Sequence, residues 1–142
     1  MTVSTYLTFD GNCREAFEFY RDVFGGEFEM LSTFGESPDE VGVPEELKDA
    51  VMHVSLPIGN GVLMGSDNAP EAPPLAVGNN FSLSVEAESR EHADQLLARL
   101  SAGGAVTMPM DVTFWGAYFG MCSDRFGINW MVVHELAGNT GA

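Results

Sequence analysis

Three histidines and two cysteines are the side chains best suited to proton transfer, metal binding or nucleophilic attack near neutral pH. His53 sits inside the apolar run "AVMHVSL". It reads either as a buried core or pocket-wall histidine, or as a general base or hydrogen-bond donor to a bound molecule. His92 lies among charged residues and reads as solvated, and His134 stands at the C-terminal edge. No two histidines have the i, i+4 spacing that sets a metal pair on one helix face. Cys13 and Cys122 lie far apart, outside any CxxC or Cys/His cluster, and read as free thiols. Asp67 and Asp124 fall at matching ends of two hairpins, where a carboxylate caps a turn. Ser55, Ser84 and Cys122 could face a cavity, but no Ser-His-Asp arrangement follows from spacing. Trp115, Tyr118, Phe119 and Trp130 crowd the last quarter. They read either as core and dimer packing or as an aromatic pocket that stacks on a flat or apolar ligand.

These residues need elements to hold them. Residues 3–9, "VSTYLTF", are β-branched and aromatic, which suits a strand. In "CREAFEFYRDVF", Ala16, Phe19, Tyr20 and Val23 repeat at i, i+3, i+4, i+7, which predicts a helix ended by Gly25-Gly26. "EFEMLSTF" alternates as a strand. The acidic stretch 35–49 reads as a surface loop with one helical turn at Glu45 to Lys48. "AVMHVSLPIGNGVLMGSD" reads as strand, tight turn, strand. A proline-rich linker over 69–78 follows. "NFSLSVEAES" then predicts a strand ending in a polar helix cap, Ser89. "REHADQLLARLSAGG" predicts a helix with Ala93, Leu96, Leu97 and Leu100 on one face. "AVTMPMDVTFWG" and a final hairpin, "AYFGMCSDRFGINWMVVHE", complete the chain.

The second half repeats the first. At an offset of about 76 to 78 residues, Arg14-Glu15 falls on Arg90-Glu91 and Gly25-Gly26 on Gly103-Gly104; the closing hairpins also match, with Gly61 on Gly127. Each half is β-α-β-β-β. The reading is α+β: tandem βαβββ modules over about 3–68 and 79–136 in one domain of 142 residues. Neither half can bury its sheet alone, so the modules are expected to pair around a concave, mostly apolar ligand surface.

Composition excludes several partners. Acids outnumber bases by 21 to 6, a net charge of −15, which opposes nucleic acid and anionic membrane surfaces alike. No apolar run approaches the roughly 20 residues of a membrane span. "MTVSTYLTFDGN" lacks the basic and apolar segments of a signal peptide, which leaves the cytoplasm as the default location.

Four stretches together, "YLTFDGNCREAFEFYRDVFGGE", "MHVSLPIGNGVLMGSD", "NNFSLSVE" and "GGAVTMPMDVTFWGAYFGMCSDRFGINWMV", resemble the PhnB-like branch of the vicinal oxygen chelate superfamily, which includes glyoxalase I, extradiol dioxygenases and bleomycin-resistance proteins. The resemblance covers residues 5–134. It implies a homodimer and a divalent metal held by four side chains. It places those four positions at Thr5, at Met64 or Gly65, at Phe81 and at Met131. None of these residues is an imidazole or carboxylate donor of the kind such sites need, so no metal or other cofactor is expected. The expected cavity residues are Thr5, His53, Phe81, Trp115, Tyr118, Trp130 and Met131. The functional expectation is a dimeric small-molecule-binding domain. The alternative is a lyase, isomerase or dioxygenase of the same superfamily that uses a metal or His53 as base. Whether the chain is an enzyme stays open at this point. The branch is often labelled a demethylubiquinone methyltransferase, yet no strand followed by a glycine-rich turn into a helix is present to hold S-adenosylmethionine.

Overall fold

A computed structural model describes residues 1–36, 43–69 and 71–136. Part of the acidic stretch and Pro70 of the expected linker lie outside these residues. The chain divides into two compact units, Met1–Ala76 and Val77–Ala142, and the division falls within residues 69–78.

The first unit runs β1 (Thr5–Phe9), α1 (Cys13–Phe24), β2 (Met30–Thr33), β3 (Val51–Ile58) and β4 (Gly61–Asp67). Its sheet has the order β1-β4-β3-β2, with β1 and β4 parallel and the other pairs antiparallel. The second unit runs β5 (Leu83–Glu86), α2 (Arg90–Leu100), β6 (Ala105–Val112), β7 (Ala117–Ser123) and β8 (Asn129–Glu135). Its sheet order is β5-β8-β7-β6, again with a single parallel pair, β5 and β8. The fold is α+β, one βαβββ module in each unit. The helical turn expected at Glu45 to Lys48 is a 3-10 turn over Glu45–Leu47, capped by Lys48.

Each helix covers one face of its own sheet. On α1 the buried residues are Cys13, Ala16, Phe17, Tyr20 and Val23, whereas Phe19 is half-buried. The 3.6-residue period permits either Phe17 or Phe19 on the inner stripe. Phe17 takes it because the sheet leaves a gap beneath it at Gly65. A Cβ there would stand 2.7 Å from the Phe17 ring and 2.8 Å from the Leu7 carbonyl oxygen. Edge-on contacts of Phe17 with Phe9 and Tyr20, at 6.1 and 5.6 Å between centroids, complete the packing. Burying such a ring contributes roughly 1.5–3 kcal/mol.

The α2 helix begins at Ser89, whose Oγ accepts from the His92 backbone N–H at 3.0 Å. It buries Ala93, Leu96, Leu97 and Leu100, the expected face. Gly120 is its counterpart to Gly65: a Cβ there would meet Met110 Sδ at 2.5 Å and Leu97 Cδ2 at 3.2 Å.

Strand register then assigns every side chain to a face. In the first sheet Leu7, Gly65, Val54 and Leu31 form one row on the helix side. The neighbouring row, Tyr6, Met64, Ser55 and Met30, therefore lies on the far side. In the second sheet Gly120 and Val132 lie on the helix side, and Met131 and Met121 on the far side.

Replacing Gly65 by Ala is expected to cost about 1–3 kcal/mol through overpacking against Phe17. Gly61→Ala, which meets nothing closer than 3.7 Å, should stay within about 0.5 kcal/mol of the parent. Urea unfolding of both variants measures the difference.

Candidate functional site

The far face of the first sheet gathers the residues most capable of holding a ligand. Its first row runs Tyr6, Met64, Ser55, Met30. The neighbouring row holds Thr8 paired with Ser66 and His53 paired with Ser32. Tyr6 and Met30 stand 48% and 50% exposed at the two ends of the first row, while the short Ser55 between them is 6% exposed. Met64 and the short Ser55 lie between them.

His53 is half-buried there. Its Nδ1 lies 3.3 Å from the Tyr6 hydroxyl, and the two rings stack at 5.8 Å between centroids and 28° between planes. Ser32 Oγ, across from His53, is buried and has no hydrogen-bond partner among the described residues. A buried hydroxyl of that kind is uncommon and calls for a water or ligand.

The far face of the second sheet is different in character. Ser84, Met131, Met121 and Met108 form one row across it, and Glu86, Val133, Phe119 and Asp111 form the next. Three thioethers side by side make a soft, adaptable apolar surface.

His53 and Met131 lie on far faces, each in its own sheet. Thr5 pairs with Leu63 and shares the helix-side face with Leu7, so its neighbour Tyr6 is the one on the far face. Counting back from Tyr20 assumes a fixed loop between strand and helix, and a one-residue difference turns the side chain over. Of the pair Met64 and Gly65, Met64 is on the far face.

Phe81 precedes β5 and is 56% exposed. Trp115 lies in the β6–β7 turn, edge-on to Phe114 and Phe119 at 5.0 and 6.3 Å. Trp130 is a core residue, 2% exposed, whose Nε1–H donates to Asp124 at 2.8 Å. Tyr118 faces α2: its hydroxyl donates to Asp94 at 2.7 Å, and the Arg90 guanidinium sits 4.4 Å from its ring centroid. The hydrogen bond to Asp94 raises the Tyr118 pKa. Tyr6 and Ser32 are the additions. Alternation in "TYLTF" carried the signal for Tyr6, because Leu7 and Phe9 claim the core side.

Both aspartates serve the framework. Asp67 accepts from the backbone N–H groups of Gly11, Cys13 and Val51 at 2.8–2.9 Å, tying the start of α1 to β3. Asp124 accepts from Phe126 and Ile128 backbone N–H groups as well as from Trp130. Both cysteines are buried and free. Burial, then the nearby Asp67 charge, pushes the Cys13 thiol up to about 12, opposed by Arg14. Burial and Asp124 push Cys122 up to about 11. Such thiols are poor nucleophiles.

Among the described residues, no group of three His, Cys, Asp or Glu side chains comes together. On the strands that the resemblance marks for metal ligands, the far-face side chains include Tyr6, Met64, Ser84 and Met131. Those phenol, thioether and hydroxyl groups are not the imidazole and carboxylate donors such sites need, while Glu86, on the same face of β5, is one carboxylate.

A family model described as 3-demethylubiquinone-9 3-methyltransferase matches residues 1–133. The chain belongs to that family. Protein YjdN of Escherichia coli (strain K12) is 30% identical over 140 residues, covering 93% of this chain and 94% of that protein. The crystal structure of PA1353 from Pseudomonas aeruginosa is 43% identical, with a TM-score of 0.85 over 96% of this chain and 98% of that one. The PhnB protein from Bacillus cereus is 25% identical, with a TM-score of 0.75 over 94% and 99%. More distant solved structures at 15% identity, with TM-scores of 0.61 and 0.60, are described as a glyoxalase-related enzyme and a glyoxalase/bleomycin resistance protein/dioxygenase family enzyme. They show the fold alone. Together these make the chain a PhnB-like member of that family with a glyoxalase-like fold.

Two outcomes are expected from the buried groups of this family member. Asp124→Ala leaves three N–H donors without their acceptor and should cost about 3 kcal/mol in denaturant unfolding. The cysteines set an alkaline limit. Their raised pKa values favour the neutral thiol in the native state, so their contribution is intact below the unfolded value of 9.0 and is lost as pH rises toward 11 to 12. Each thiol lowers stability by up to about 1.4 kcal/mol per pH unit in that window. Cys13→Ala should show a shallower decline in urea midpoints between pH 9 and 11 than the parent.

Proposed function

We propose that this protein is a dimeric small-molecule-binding domain of the glyoxalase fold that works without the divalent metal usual in its superfamily. The observation that carries this reading is the far face of the first sheet, where Tyr6, Met64, Ser55 and Met30 share a row with a recessed centre beside His53. Two thioethers stand there among hydroxyl groups, and His53 is the one imidazole of these residues, short of the three or four nitrogen, sulfur or carboxylate donors of a Zn, Mn or Ni site.

The dimer is supported by β6, an edge strand whose Val106, Met108 and Val112 are 46–48% exposed, beside Phe114 at 97%. An apolar edge of that kind invites a partner. Two free buried thiols favour a reducing, cytoplasmic setting. No helix among the described residues is long and apolar enough to cross a membrane.

The methyl transfer named in the family description is not carried to this chain. Each sheet has four strands with one parallel pair, not the doubly wound parallel sheet whose glycine-rich first turn cradles a nucleotide cofactor. One observation favours a second reading, an enzyme of the same superfamily: the Tyr6–His53 contact could orient His53 as a general base.

Purified protein should retain no stoichiometric metal after dialysis, elute as two chains in light scattering, and show thermal stabilisation by some members of a small-metabolite panel. About one tightly held Zn, Fe, Mn or Ni per chain, lost on His53→Ala, would overturn the metal-free reading. Turnover of a stabilising metabolite that disappears in His53→Ala would establish the enzymatic one.

A further inference from the structure

We infer that Tyr6, His53 and Ser32 form the recognition group of the first unit's far face, and that its ligand is a small, uncharged, hydroxyl-bearing aromatic molecule, with phenol as the minimal form. This deepens the small-molecule reading and rests on it.

Charge sets the first limit. The far-face residues of β1–β4, among them Tyr6, Thr8, Met30, Ser32, His53, Ser55, Pro57, Val62, Met64 and Ser66, include no lysine or arginine. The whole chain carries −15. An anionic ligand would meet long-range repulsion with no cation to offset it.

Hydrogen bonding sets the second. Tyr6 and His53 Nδ1 share one proton across 3.3 Å. If the Tyr6 hydroxyl donates, His53 Nε2 carries a hydrogen and needs an acceptor. If Nδ1–H donates to the Tyr6 oxygen, Nε2 needs a donor. A ligand hydroxyl answers either tautomer, whereas an ether or ketone answers only the first. Ser32 Oγ, buried and without a partner among the described residues, is a second group able to donate or accept.

Shape and polarizability set the third. Tyr6 presents a half-exposed ring at one rim, Met30 stands at the other, and Met64 lies between Tyr6 and the recessed Ser55. A flat ring gains from both aromatic and thioether neighbours. Tyr6 is already stacked with His53, so the polar end of a bound ring falls near the imidazole while its body rests on Met64.

Protein labelled with 13C at the methionine methyls reports each sheet separately, because Met30 and Met64 lie on the first and Met108, Met121 and Met131 on the second. Phenol, benzoate and cyclohexanol are titrated in turn, with signals assigned by single Met→Leu variants. Phenol should shift Met64 and Met30 saturably, and benzoate and cyclohexanol should bind at least about tenfold more weakly, a difference of about 1.4 kcal/mol. His53→Leu and Ser32→Ala, each checked for an intact amide spectrum, should weaken phenol at least about tenfold and about threefold. His53→Gln, which keeps a donor and an acceptor, should recover part of the loss. Phenol confined to the second sheet's methionines, benzoate binding as tightly as phenol, or His53→Leu leaving the phenol affinity unchanged would overturn the inference while leaving a small-molecule role intact. Failure of all three probes, together with a thermal-shift panel that yields no ligand, would overturn both.

Discussion

The close approach of α1 to its sheet at Gly65 is the constraint from which the first unit's geometry follows. The Phe17 ring occupies the volume that a side chain at position 65 would fill, with the Leu7 carbonyl on the other side. That contact decides which face of β1, β3 and β4 is core. Since side chains alternate along a strand, it also decides which residues are left to meet a ligand. Tyr6, His53 and Met64 reach the far face because Leu7, Val54 and Gly65 are held under the helix. Gly120 imposes the same condition beneath α2 in the second unit, where Leu97 and Met110 crowd it.

Around these contacts, charge is spent on structure. Asp67 and Asp124 are each 4% exposed, and each collects three N–H donors. Buried carboxylates persist only when hydrogen-bonded in this way. They hold the junctions where strand meets helix and where the last hairpin turns. The far face of the first sheet, by contrast, relies on neutral groups.

Several features were legible in the residues. The i, i+3, i+4 spacing placed α2 and its buried face without error, and the internal repeat predicted the second βαβββ order from the first. The capping character of Asp124 followed from its turn. Other features were ambiguous for stated reasons. On α1 both Phe17 and Phe19 satisfy the helical period, and only the gap at Gly65 selects between them. Trp130 looked like an aromatic wall in sequence, yet its buried Nε1–H is satisfied by Asp124, a pairing six residues apart that strand reversal creates. Tyr118 likewise belongs to α2 through Arg90 and Asp94.

The sequence by itself determined the class of fold and the division into two repeated modules, because periodicity and turn residues are local properties. The tertiary structure alone decided facing and partnership. Thr5 and Tyr6 are neighbours in the chain but lie on opposite sides of a sheet. Which of them can meet a ligand depends on where a helix lands, and that is settled by packing volume at Gly65 rather than by any property of the two residues themselves.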